Sequence, residues 1–76
     1  MTEEKIRKEV MTEFAESLKA LEDADTIENA LMLLGAAIEL NKMMRNFGWI
    51  SGAEFARNLA KISSVNRWVS VGGVSE

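Results

Sequence analysis

The sequence predicts an all-α fold: a helical hairpin followed by a third helix, dimerising through the central helix. Three observations carry that expectation. Apolar residues recur at helical spacing in three segments, Ser/Thr/Asp–x–x–Glu patterns mark helix starts, and the middle segment is apolar almost all round.

The first helix is expected from about 3 to 21. Ile6, Val10, Phe14, Leu18 and Leu21, with Met11 beside them, fall on one stripe. Glu3 and Glu4 sit at the positive end of the helix dipole, and Glu3–Arg7 and Glu4–Lys8 have the favourable acid-first i,i+4 order. The break falls at Glu22-Asp23-Ala24-Asp25. A connection this short favours an antiparallel hairpin.

The second helix is expected from 26 to 47, with Asp25 and Glu28 as a capping box and Gly48 as the left-handed residue past its end. Its polar side is a strip of Glu28, Gly35, Glu39, Lys42 and Asn46. The rest divides into two apolar faces, Ile27/Leu31/Leu34/Ile38 and Met32/Ala36/Leu40/Met43/Phe47. A helix this apolar must be covered nearly all round. The other two helices can cover one face and part of the other. A symmetric dimer through Met32, Ala36, Leu40, Met43 and Phe47 is the simplest closure.

The third helix, expected from 52 to 68, has the clearest start. Ser51 and Glu54 form a capping box, and Ile50 and Phe55 are placed as a hydrophobic staple. Phe55, Leu59, Ile62, Val65 and Val69 make its buried stripe. Beyond Ile62, serines and valines weaken the helical pattern, and the tail 69–76 is expected to be extended or frayed. Trp49 is expected in the core. Trp68 falls off the stripe and is expected at an interface, where Trp often anchors binding.

Composition narrows function further. The chain has 76 residues, enough for one small domain that buries only about 60% of its unfolded surface. It has no Cys and no His, which removes disulfides, thiolate metal sites and the commonest zinc ligand. Tyr is absent as well, and Glu9, Glu13 and Glu16 lie opposite the apolar stripe of the first helix as a solvated face. No enzymatic activity, metal or cofactor is expected. The N-terminus mixes both charges and lacks a signal-peptide pattern, and the longest apolar run, 29–38, is about half a membrane span. A cytoplasmic protein is expected, without membrane association. Its net charge of −3 is unevenly spread: residues 1–40 hold four bases and ten acids, residues 41–76 five bases and two acids. Such polarity suits pairing between copies or nucleic acid at the basic end.

The function expected from these features is a small regulator, adaptor or inhibitor acting by protein–protein binding as a homodimer, in the manner of bacterial or phage accessory proteins. An alternative rests on a resemblance. Glu54-Phe55-Ala56-Arg57-Asn58-Leu59, followed by Ile62-Ser63-Ser64-Val65-Asn66-Arg67-Trp68, resembles the helix-turn-helix of Cro- and repressor-type DNA-binding domains. The resemblance extends to Leu34-Gly35 and to Arg45-Asn46-Phe47-Gly48-Trp49. It implies that Ser63, Ser64, Asn66 and Arg67 face the major groove, with Arg57 and Lys61 nearby. Ala60 stands where that family carries the turn glycine, and the interval from Leu59 to Val65 is one residue shorter than its pattern.

Overall fold

A computed structural model describes residues 2–66, 69–70 and 73–74. The chain forms three helices, α1 (Glu3–Asp23), α2 (Ile27–Asn46) and α3 (Gly52–Ser64), followed by a minimal strand pair, β1 (Val69–Ser70) and β2 (Gly73–Val74). α1 and α3 both lie against α2, and β1 approaches α2 and α3. The molecule is elongated, 42 × 23 × 13 Å. The fold is all-α apart from this strand pair, and no helix among the described residues is long and apolar enough to cross a membrane.

Each boundary has a local cause. α1 starts where the Thr2 hydroxyl accepts from the Lys5 N–H at 3.2 Å. α2 is capped by Thr26, whose hydroxyl accepts from the Asn29 N–H at 3.2 Å. The expected Asp25–Glu28 box is therefore displaced by one residue: Thr26 takes the extended cap conformation and Ile27 opens the helix. At the other end Gly48 has φ +74. The Gly48 N–H reaches the Arg45 carbonyl at 3.0 Å and the Trp49 N–H reaches the Met44 carbonyl at 2.9 Å. This is the paired bonding of a Schellman motif, and it satisfies two carbonyls that the helix leaves without partners.

α3 starts as its sequence requires. The Glu54 N–H donates to Ser51 Oγ at 3.1 Å and the Ser51 N–H donates to Glu54 Oε1 at 3.2 Å. Ser51→Ala removes one half of this exchange and is expected to cost about 1 kcal/mol, read as a lower urea midpoint at unchanged m-value. The helix ends at Ser64, four residues before its expected end. Ser63 Oγ donates to the Ala60 carbonyl at 2.9 Å and Ser64 Oγ to the Lys61 carbonyl at 3.2 Å. Such local bonds compete with helix continuation. Of the tail, Val69 pairs with Val74 and Ser70 with Gly73 in an antiparallel register.

The core is built from Phe14, Leu21, Ala24, Ala30, Leu34, Ala37, Met44, Ile50 and Ile62, with Val10, Met11, Leu18, Trp49, Phe55, Leu59 and Val65 packed against it. The stripes expected on α1 and α3 thus face the core through Val10, Phe14, Leu18 and Leu21 and through Phe55, Leu59, Ile62 and Val65, although Ile6 stays exposed. The ion pairs among the described residues are Lys19–Asp23 and Glu39–Lys42; Glu3–Arg7 and Glu4–Lys8 do not form.

α2 departs most from expectation. Its inward line is Ala30, Leu34, Ala37, Asn41 and Met44, a repeat that keeps one side of the helix facing its neighbours. Only Leu34 belongs to either expected face. Ala30 and Ala37 have no bulk to hold α1 and α3 away, so the helices close on small residues and the larger ones flank the contact. Ile27 and Leu31 are left exposed and Ile38 half-buried.

Two buried amides fix the arrangement. Asn41 is fully buried; its Nδ2 donates to the Phe55 carbonyl at 3.2 Å and its Oδ1 accepts from Asn58 Nδ2 at 2.9 Å. Asn66 Nδ2 donates to the carbonyls of Leu21, at 2.6 Å, and Ala24, at 3.2 Å, at the end of α1. Both amides satisfy polar groups that water cannot reach.

Candidate interaction surface on the central helix

The face of α2 turned away from α1 and α3 carries Met32, Ala36, Met43 and Phe47. At about 100° per residue these lie roughly opposite the inward line of Ala37 and Asn41. Met32 is 69% exposed, Phe47 62% and Met43 39%. These large apolar side chains are open to water at both ends of one helix face, with exposed Glu39 on the same arc between them. Ala36 is exposed beside them and Leu40 is half-buried. Of the expected interface residues, the structure therefore brings Met32, Ala36, Leu40, Met43 and Phe47 together. Trp68 lies outside the described residues.

The patch has relief and a charged margin. Leu40 and Ala36 continue, with Leu33, into a groove between α1 and α2 whose other wall is Glu13, Glu16, Ser17 and Ala20. Around Met43 and Phe47 a second shallow depression is bordered by Glu39, Lys42 and Asn46. Glu39 Oε1 and Lys42 Nζ stand 3.8 Å apart, both well exposed. An exposed pair of this kind contributes little to stability and can exchange partners readily.

Phe47 also stacks on Trp49, with ring centroids 4.9 Å apart and planes 19° from parallel. Trp49 is half-buried as expected, but its indole Nε1 is enclosed without an acceptor rather than set at the surface. The stack holds the Phe47 ring in place at the end of the patch although the ring itself is largely open to water.

Gly35 sits mid-helix beside Ala36. A glycine there costs about 1 kcal/mol relative to alanine. Among the described residues nothing requires it: no atom lies within 4 Å of where a Cβ would stand, and its φ is not positive. At about 100° per residue this space opens onto the polar strip of Glu28, Glu39, Lys42 and Asn46.

The residues of the helix-turn-helix resemblance are arranged differently. α3 runs unbroken from Gly52 to Ser64, through Ala60 where the turn would fall. Asn66 is buried against the end of α1 rather than directed outward. Ser63 is half-buried with its hydroxyl on the Ala60 carbonyl; Arg57, Lys61 and Ser64 are exposed. Arg67 lies outside the described residues. Among the described residues no group of three or more Asp and Glu is placed to hold a metal ion.

Asn41 and Asn58 were not legible as a functional or structural pair from spacing alone. Their one sequence signal is a polar residue on the arc of α2 between Ala37 and Met44, matched by another on the inward side of α3.

No family model, curated protein or solved structure matches the chain.

Proposed function

We propose that this chain is a non-enzymatic binding protein, a small helical regulator or adaptor that acts through protein–protein contacts as a homodimer. The observation that carries the reading is the exposure of Met32, Ala36, Met43 and Phe47 on the outer face of α2. Dimerisation through α2 covers the patch on both copies with one self-complementary contact.

Sedimentation of the purified chain at micromolar concentration tests the reading. Twice the chain mass is expected, with no change after nuclease treatment. A well-folded monomer that keeps its helicity on dilution would overturn it. Salt-sensitive retention of DNA, lost on Arg57→Ala together with Lys61→Ala, would move the function to nucleic acid instead.

A further inference from the structure

We infer that the groove between α1 and α2 receives a basic amphipathic helix from a partner protein. The inference rests on the protein-binding function proposed above and gives the partner a chemistry. Shape sets the kind of occupant, and charge sets its sign.

Two antiparallel rows line the groove, each with residues seven positions apart. Leu33, Leu40 and Phe47 form the row on α2, and Ile6, Glu13 and Ala20 the row on α1. A seven-residue step drifts by only about 20° on an α-helix, so each row stays on one side of its helix. Ala20 and Glu13 share with Leu33 and Leu40 a depression of about 530 Å³, and the start of α1 reaches Phe47 through Glu3, Glu4 and Arg7. Ile6 and Phe47, both exposed, therefore close the far end. From Leu33 to Phe47 the row is about 21 Å long, the reach of a helix of about 14 residues. Positions repeated every seven residues on two neighbouring helices are what a third helix packs into.

The α1 rim is acidic. Glu9 and Glu16 flank Glu13 there, and all three are exposed. Among the described residues none of the three has an ion pair, and no base lines the groove. Lys5 and Lys8 border an adjoining depression further round α1. An occupant with Lys or Arg opposite these carboxylates is drawn in and aligned by them, and an acidic one is repelled.

A second copy does not suit the groove. Among the described helices α3 alone has more bases than acids, and its apolar stripe is already packed into its own core. The groove also leaves room for the proposed dimer contact. Leu33 and Leu40 lie about 80° round α2 from Met32 and Met43, so the two contacts adjoin at Ala36 and Phe47.

Fluorescence anisotropy with a labelled peptide tests the inference. The probe is a helical peptide of about 14 residues, with a leucine stripe at helical spacing and lysines on both flanks. A second peptide carries glutamate in place of every lysine. The wild-type chain is expected to bind the lysine peptide about ten-fold or more tightly than the glutamate peptide. Glu13→Lys with Glu16→Lys should reverse that order. Glu22→Lys with Asp25→Lys makes the same change in net charge outside the groove and should keep the preference for lysine. Circular dichroism checks that each variant retains its helices. No binding of the lysine peptide, equal affinity for both peptides, or equal loss in the two double variants would overturn the inference. So would a wild-type dimer that falls apart in the Glu13→Lys, Glu16→Lys variant, because a second copy would then occupy the groove. The dimer itself is read separately, by sedimentation of the wild type without peptide. A monomer that shows the reversal would overturn the dimer and uphold the groove.

Discussion

Asn41→Ala is expected to destabilise the protein by about 2–4 kcal/mol, a large part of the roughly 4–11 kcal/mol that a chain of this length commands. The loss has two parts. The side chain fills a site with no solvent access between α2 and α3, so its removal leaves a void. It also leaves the Asn58 amide facing that void without the acceptor it holds at 2.9 Å. Thermal unfolding followed by circular dichroism should show a midpoint lower by about 10–25 °C. Variants are to be compared at one chain concentration, because the midpoint of the proposed dimer would depend on it. A change below about 0.5 kcal/mol would show that the two amides are not the polar tie between these helices. Asn41→Leu with Asn58→Leu provides the complementary result. Replacing both partners removes the stranded amide, and the pair should recover most of the stability that Asn41→Ala loses.

Met32→Glu together with Met43→Glu should leave each chain folded and separate the copies. Both side chains stand in water in the isolated chain, so the exchange costs the fold little, within about 0.5 kcal/mol. In the proposed dimer the same positions would be covered, and each copy would bring two carboxylates into the contact. The dissociation constant should rise on the order of 100-fold or more. Sedimentation at micromolar concentration reads the change directly, and far-ultraviolet circular dichroism should remain as in the wild type. An unaltered mass would place the interface elsewhere. Leu40 is a poorer choice for this experiment, because it is already half-buried against the core and its substitution would disturb the fold as well.

The helices were legible in the sequence because their determinants are local. Ser51 and Glu54 need only three residues between them to define a helix start, and the structure uses both hydrogen bonds. Gly48 was legible for the same reason, since few residues other than glycine accept φ +74. The cap of α2 was misplaced by one position because Asp25 and Thr26 are adjacent and both can cap a helix. The inward line of α2 was not legible. A pattern of apolar residues indicates which side chains avoid water, but not how closely two helices approach, and here they close on Ala30 and Ala37. The partners of Asn41 lie on α3, 14 and 17 positions further on. Its burial follows from tertiary contact and from nothing in its immediate surroundings. Of the expected outer face, Met32, Ala36, Met43 and Phe47 are exposed, whereas Leu40 is half-buried against the core. Ile27 and Leu31, expected to be covered, are exposed, because which side of α2 its neighbours cover is set by tertiary packing.

The amide of Asn66 has a consequence for how fast the chain folds. Its bonds to Leu21 and Ala24 close loops of 45 and 42 positions, whereas the Asn58–Asn41 bond spans 17. The two helical hairpins can form from contacts near in sequence, a topology that folds in microseconds to milliseconds. The long closure carries the larger entropy cost and is expected to follow once α3 has docked. Asn66→Ala should therefore steepen escape from the native state and barely slow its formation. In a chevron plot the unfolding limb rises and the refolding limb stays in place. The residue acts as a latch on the way out rather than as a guide on the way in.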